Sequence, residues 1–295
     1  MAKILDGKIV RDKIRDNLKF QISRQRRGSP TATNLKFKPK LVIIQIGDLP
    51  ESNAYIRQKI LFGERIGAIV VHLKLPENTT QETINSQLST LNSDTSVHGI
   101  IVQLPIPKHL DKDKIIEAID PNKDVDGQTA TNIKYLFENK NYGFIPATTK
   151  GILTLLGHYQ IPVHGKNITV IGRSSLVGKP TALALINLDA TVTVCHSSTR
   201  KLPDKTKNAD ILIVAVGRPK LIKNFHVKAG QTVIDVGINA IDTDGTATKL
   251  VGDVDFDQVS KIVAAITPVP GGVGPMTVAS LFENLLTAYK GATLL

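Results

Sequence analysis

The chain has 295 residues, 41% hydrophobic and 21% charged, the make-up of a soluble globular protein long enough for two domains. Its apolar runs are short and end at charges or glycines, which argues against a membrane partner, and its one cysteine, Cys195, excludes internal disulfides and multi-cysteine metal sites. The formal charge of +11 raises the question of nucleic acid, but much of the excess sits in Arg24, Arg26, Arg27, Lys36, Lys38 and Lys40, around a Ser/Pro/Thr-rich connector. With little aromatic interleaving and no recognised nucleic-acid module, the connector reads as a solvated basic loop, and no nucleic-acid partner is expected. The start, Met1-Ala2-Lys3-Ile4-Leu5-Asp6, lacks a signal peptide's apolar core. A lone cysteine suits a reducing compartment, so a cytoplasmic location is expected, with the mitochondrial matrix as the alternative.

In chain order, Ile9, Ile14, Leu18 and Ile22 have the spacing of one amphipathic helix over residues 7–24. The run 41–47 reads as a buried strand of parallel-sheet type, and Pro50, Glu51, Ser52 and Asn53 start a helix reaching Ile66. A strand at 68–73, a helix at 81–91 and a strand at 99–104 follow, so strands alternate with helices, as in a parallel sheet covered on both faces. A helix at 111–119, polar turns at 121–127 and 139–142, and a helix at 150–159 come next, with a domain boundary near 147–150. Strands at 168–171, 191–195, 211–216, 232–236 and 262–266 make a second, doubly wound set. A helix at 276–290 closes the chain. The expected fold class is α/β, with two domains: an N-terminal one with a parallel sheet and a Rossmann-like one.

Between the strand at 168–171 and a helical run at 181–188 lies Gly172-Arg173-Ser174-Ser175-Leu176-Val177-Gly178-Lys179-Pro180. Unpaired N–H groups at a helix start, with glycine allowing close approach, form phosphate-binding geometry. Ser174 stands where the second glycine of the dinucleotide fingerprint would be, so spacing alone leaves nucleotide site and structural turn both open. The second strand of this set ends in Cys195-His196-Ser197-Ser198-Thr199-Arg200 with no acid to bind a free ribose hydroxyl. Arg173 and Ser197 could instead hold a ribose phosphate, with His196 and Arg200 adding positive potential, which favours NADP over NAD. Ordinary surface charges are the alternative.

Tyr55 and Lys59, four apart on one helix, share a face just after a strand's carboxyl end, where ligands of open α/β sheets bind. A desolvated lysine there could serve as acid or base; a solvated lysine beside a packed tyrosine is the plainer reading. Gln103 is the polar end of an apolar strand, either functional or a satisfied edge residue. Asp126 lies in a turn where aspartate often serves only the backbone. Pro270-Gly271-Gly272-Val273-Gly274-Pro275 has more glycine than a connector requires, for a ligand's approach or for a sharp crossover. Cys195 reads as a buried strand residue, and His98 and His158 as packing or surface residues without metal spacing.

Five segments then carry a resemblance. Ser52-Asn53-Ala54-Tyr55-Ile56-Arg57-Gln58-Lys59, His98-Gly99-Ile100-Ile101-Val102-Gln103-Leu104-Pro105, Lys123-Asp124-Val125-Asp126-Gly127, Val170-Ile171-Gly172-Arg173-Ser174 and Ile266-Thr267-Pro268-Val269-Pro270-Gly271-Gly272-Val273-Gly274-Pro275-Met276-Thr277 run nearly the whole chain in order. They resemble the bifunctional methylenetetrahydrofolate dehydrogenase and methenyltetrahydrofolate cyclohydrolase family.

The resemblance implies NADP-linked oxidation of methylenetetrahydrofolate, then ring opening by water to formyltetrahydrofolate, with tetrahydrofolate derivatives as the partners. Lys59 would be the general acid/base, tuned by Gln103; Tyr55 would stack on the folate rings and Asp126 anchor the pterin. Val102, Gln103, Leu104, Pro270, Gly271, Gly272, Val273 and Gly274 would line the folate pocket. Thr148, Gly172, Arg173, Ser174, Ser197 and Ile238 match the NADP positions. The resemblance further implies a folate domain of residues 1–148 and 276–295, an NADP domain of 149–275, an active-site cleft between them, and a homodimer joined through the cofactor domains. Where the family has Cys-Thr-Pro before the first cofactor-domain helix, this chain has Ala147-Thr148-Thr149, which puts the hinge geometry in question. A monofunctional dehydrogenase is the nearest rival; intact Lys59 and Gln103 argue against it. A non-catalytic NADP- or RNA-binding protein would leave the folate-side residues without purpose.

Overall fold

The computed structural model describes residues 1–27, 38–243 and 247–292. Lys36 and the rest of the basic connector at 28–37 lie outside the described residues, as do the side chains of Arg26 and Arg27. The first half of the chain runs β1 (Lys3–Ile4), α1 (Gly7–Arg27), β2 (Lys40–Ile46), α2 (Pro50–Ile66), β3 (Ile69–Leu75), α3 (Gln81–Ser93), β4 (Gly99–Val102), α4 (Lys112–Glu117) and α5 (Ala130–Phe137). The second runs α6 (Ala147–His158), β5 (Asn167–Ile171), α7 (Gly178–Ile186), β6 (Thr191–Cys195), α8 (Leu202–Asn208), β7 (Ile211–Val214), β8 (Thr232–Asp235), β9 (Asn239–Thr243), β10 (Ala247–Val251), α9 (Phe256–Val259), β11 (Ala265–Ile266) and α10 (Val273–Ala292). Contacts divide the chain into two compact units, Asp12–Ala147 with Val278–Leu295, and Met1–Arg11 with Thr148–Thr277.

The first unit holds a three-stranded parallel sheet in the order β3-β2-β4, with Ile44 in register with Leu73 and Val102. β2 is apolar from Leu41 to Ile44 because both its faces are covered. Leu41, Ile43 and Ile101 pack with Leu18 and Ile22 of α1, Ile56 and Phe62 of α2, and Phe282 and Leu285 of α10. On the other face Val42, Ile44, Ile100 and Val102 meet Ile84 and Leu88 of α3 and Ile115 of α4. α2 begins and ends on local signals. Pro50 fills a first-turn position whose N–H would be unbonded, and Glu51 faces the positive helix end. Gly67, at φ 82°, closes the helix by bonding the Gly63 and Glu64 carbonyls.

Two expectations for this half need correction. Ile9 of α1 is 53% exposed, and Val10 is the buried residue of that turn. Successive helix positions differ by about 100°, so an apolar pair such as Ile9-Val10 does not reveal which member turns inward. α5 was not expected; Thr129, whose hydroxyl accepts the Asn132 N–H, is its start signal.

The second unit holds a six-stranded sheet in the order β1-β11-β8-β7-β5-β6, parallel throughout. β5 lies between β6 and β7, so the chain leaves it first to one side and then to the other. That reversal makes a topological switch point at the carboxyl end of β5, where ligands of doubly wound sheets bind. Residues 1–11, placed with the folate domain in the sequence reading, contribute β1 beside β11. The strand expected at 262–266 shrinks to Ala265–Ile266, because α9 and its following turn take up Ile262. The antiparallel pair β9–β10 was not expected from its mixed polar sequence. No helix among the described residues is long and apolar enough to cross a membrane.

Candidate functional site

In the three-stranded unit, the expected folate-side residues Tyr55, Lys59, Val102, Gln103, Leu104 and Asp126 all lie near the carboxyl ends of the strands or on the elements that follow them. Gln103 comes directly after β4, its N–H bonded to the Ile44 carbonyl at 2.8 Å. Lys59 projects from α2 and donates from Nζ to Gln103 Oε1 at 2.8 Å, while Gln103 Nε2 donates to the Leu104 carbonyl at 2.8 Å. Both ends of the Gln103 amide are therefore committed, and its oxygen is the end presented to the amine. Lys59 is only 8% exposed, so the plain reading of a solvated lysine is excluded. Burial lowers its pKa from the ordinary lysine value, and the Asp126 carboxylate opposes that shift. Tyr55, one turn earlier and half-buried, has its phenol pKa raised by burial.

The run Lys123-Asp124-Val125-Asp126-Gly127 divides into separate tasks. Lys123 Nζ donates to the carbonyls of Leu91, Asn92 and Asp94, closing the end of α3. Asp124, 1% exposed, accepts the N–H of Gly127 at 3.0 Å and of Thr129 at 2.7 Å, and the Asn132 amide at 3.0 Å. Gly127 turns the chain at φ 71°, where a Cβ would lie 2.7 Å from the Phe144 carbonyl oxygen. The backbone duty expected of Asp126 thus falls to Asp124, and Asp126 is left facing Gln128, which donates to its Oδ2, and the charge of Lys59. Burial raises the Asp126 pKa; Lys59 pulls it down and Asp124 pushes it up.

Asp124→Ala is expected to cost about 1–3 kcal/mol, since it orphans the buried Thr129 N–H and takes one partner each from the Gly127 N–H and the Asn132 amide, which keep the Asp124 and Pro121 carbonyls. Urea denaturation checks this; an unchanged midpoint would contradict the assignment.

The six-stranded unit carries the remaining expected residues. Gly172, at φ 119°, packs so closely on the loop after β7 that a Cβ would lie 2.1 Å from the Ala215 carbonyl oxygen. Ser174 Oγ accepts from the N–H of Val177 and Gly178 at 3.2 and 3.3 Å, so the serine at the fingerprint's second-glycine position satisfies two N–H groups where the loop enters α7. Arg173, Ser197 and Arg200 are exposed, and no carboxylate among the described residues pairs with either guanidinium. The turn after β6 is held by its own bonds, His196 N–H to Thr199 Oγ1 and Ser198 N–H to His196 Nδ1, with Ser197 outward. Cationic groups and exposed hydroxyls without an acid suit a dinucleotide carrying a ribose phosphate.

Pro270–Gly274 also lie in this unit. Gly271 adopts φ 115° and its carbonyl accepts the Gly7 N–H at 2.9 Å, and a Cβ on Gly272 would lie 2.6 Å from the Pro268 carbonyl oxygen. Crossover packing accounts for these two glycines. Gly274 meets only Ile238, whose Cδ1 would lie 3.3 Å from a Cβ there. Thr148 Oγ1 accepts from Thr277 Oγ1 at 3.3 Å, and Thr149, in place of the family's proline, bonds Thr181 of α7 at 3.0 Å. Cys195 is fully buried, and burial pushes its thiol up. His98 stacks edge-on to Tyr289 and His158 to Tyr159, as packing residues do.

Comparison with known proteins decides the family. The family model for "Tetrahydrofolate dehydrogenase/cyclohydrolase, catalytic domain" matches residues 5–126, and that for its NAD(P)-binding domain matches residues 146–293. The chain belongs to the tetrahydrofolate dehydrogenase/cyclohydrolase family. Within that family it is 45% identical over 290 residues to the bifunctional protein FolD of Agathobacter rectalis, covering 98% of this chain and 100% of that one. The crystal structure of the bifunctional FolD enzyme from Campylobacter jejuni superposes with a TM-score of 0.92 at 42% identity, covering 99% of both chains. The Trypanosoma brucei dehydrogenase-cyclohydrolase, solved with NADP and an inhibitor, superposes at 0.93 with 35% identity over 99% of this chain and 98% of that one.

Proposed function

We propose that the chain oxidises methylenetetrahydrofolate to methenyltetrahydrofolate with NADP and hydrolyses the product to formyltetrahydrofolate. The Lys59–Gln103 bond beside Asp126 carries this reading. NADP, when bound, accepts the hydride released by the methylene carbon. In ring opening, water adds to the methenyl carbon, neutral Lys59 takes a proton from that water, and one carbon–nitrogen bond breaks as its nitrogen regains a proton. Gln103 holds the Lys59 Nζ on the reacting side. Asp126 accepts from the pterin's N–H edge, and Tyr55 stacks on the ring. Val102 and Leu104 line the same pocket. The three-stranded unit is assigned the folate, and the six-stranded unit the cofactor through Thr148, Gly172, Arg173, Ser174, Ser197 and Ile238. An assay with methylenetetrahydrofolate and either cofactor, following NADPH and the methenyl species separately, tests this; absence of either step would overturn the bifunctional reading.

Unpaired Arg173, exposed Ser197 and the missing acid support NADP over NAD. Arg173→Ala is expected to lower the NADP/NAD ratio of kcat/KM by about 10–100-fold, one lost charge-assisted contact. An unchanged ratio would refute the role of Arg173.

A homodimer is supported by β6, which among the described residues pairs only with β5 and leaves an open edge, with Val194, Ile186 and Leu188 exposed by 40, 53 and 43%. Val194→Asp is expected to convert dimer to monomer in sedimentation equilibrium; a wild-type monomer would exclude the dimer.

A further inference from the structure

Two buried carboxylates lie behind the cofactor side of the six-stranded sheet and are used by none of the steps above. Asp253 is fully buried. Its Oδ2 accepts the N–H of Val216 at 2.7 Å and of Gly217 at 3.0 Å, and its Oδ1 accepts the N–H of Arg218 at 2.8 Å and the Asn239 amide at 2.9 Å. Asp235, 3% exposed, orients it from behind. Asp235 Oδ1 accepts the N–H of Asp253 and of Gly237, both at 3.0 Å, and Oδ2 accepts that of Val254 at 2.9 Å. The surrounding backbone is cut to fit. A Cβ on Gly252 would lie 1.8 Å from Asp235 Oδ2, and one on Gly237 would lie 2.2 to 2.5 Å from the Asp253 carboxyl atoms.

Asp253 gathers three backbone N–H groups from the segment after β7 and the Asn239 side-chain amide from the segment after β8. Residues 216–218 follow β7 and residues 237–239 follow β8, at the carboxyl ends of strands next to β5 and its switch point. The first loop's neighbour Ala215 presses its carbonyl on Gly172, and the second contains Ile238. A carboxylate suits the task because it only accepts, with about four lone-pair sites for four donors. An asparagine of the same shape would turn one acceptor into a donor facing N–H groups.

We propose that Asp253, oriented by Asp235, is a positioning residue for cofactor binding: it fixes the loops after β7 and β8 in the conformation that walls the NADP site. The inference rests on the NADP reading above. It accounts for an ionisable group with no exposure and no cationic partner among the described residues, and for glycine at both 237 and 252.

The test is calorimetric titration of wild type, Asp253→Asn and Asn239→Ala with NADP, well below the melting transition, alongside ring opening assayed without cofactor. Asp253→Asn is expected to raise the Kd for NADP by about 10–100-fold and Asn239→Ala by about 3-fold or more. Ring opening, the work of the other unit, stays within about twofold of wild type, and dehydrogenase kcat recovers at saturating NADP; these readouts separate positioning from general loss of fold. Should Asp253→Asn fail to fold, Asn239→Ala decides. Wild-type binding with unchanged Kd in the folded variants overturns the inference alone. Absence of NADP binding by wild type overturns the cofactor reading and this inference with it.

Discussion

Lys59→Met is expected to reduce ring opening by about 10²–10⁴-fold, the usual contribution of a positioned acid or base, while leaving measurable hydride transfer. Methionine keeps the length and unbranched shape of a side chain that is 8% exposed, so packing on α2 survives while the amine is lost. The two reactions separate because hydride transfer needs no proton moved by the enzyme, whereas ring opening does. In the variant the methenyl species should therefore accumulate as NADPH forms. Ring opening at the wild-type rate would end the assignment. The wild-type pH profile gives a second check. Ring opening needs the neutral amine, so its rate should rise with pH, and because burial lowers the Lys59 pKa the rise should be complete below the ordinary lysine range.

What was legible in the sequence was local. α2 is legible because its start signal at Pro50 lies beside it, and β2, expected at 41–47 and found at Lys40–Ile46, because a parallel strand covered on both faces carries an apolar run such as Leu41–Ile44. Long-range partnerships were not legible from spacing. Lys59 and Gln103 are 44 positions apart, and they meet only because β4 pairs with β2 in the register that sets Val102 opposite Ile44. The resemblance implies that pair, and the structure adds the buried amine and the committed amide. Similar acids are the hardest to sort: Asp124 and Asp126 stand two apart in one turn, and only the hydrogen bonds separate the one holding the backbone from the one facing Gln128 and Lys59. Ser174 resembles a defect in a phosphate fingerprint, and its hydroxyl holds the two N–H groups at the entry to α7. Asp235 and Asp253 escaped notice altogether, since their partners are backbone N–H groups that leave no trace in side-chain patterns.

Asp126→Asn should impair both reactions, in contrast to the selective loss at Lys59. If Asp126 accepts from the pterin's donor edge, the amide replaces one acceptor with a donor and leaves a substrate N–H without its charged partner. A loss of about 2–4 kcal/mol, or roughly 30- to 1000-fold in kcat/KM, is expected for oxidation and ring opening alike. A shift in the pH profile distinguishes this from simple misfolding. The Asp126 carboxylate raises the Lys59 pKa against the effect of burial, so removing its charge lets that pKa fall further. The rising limb of residual ring opening in Asp126→Asn should therefore move to lower pH than in wild type. A limb that stayed in place would uncouple Asp126 from Lys59, and a variant impaired in ring opening alone would remove Asp126 from folate binding. Selective loss at Lys59 and joint loss at Asp126 would then follow from the proposed roles, one in the step that moves a proton and the other toward the substrate common to both.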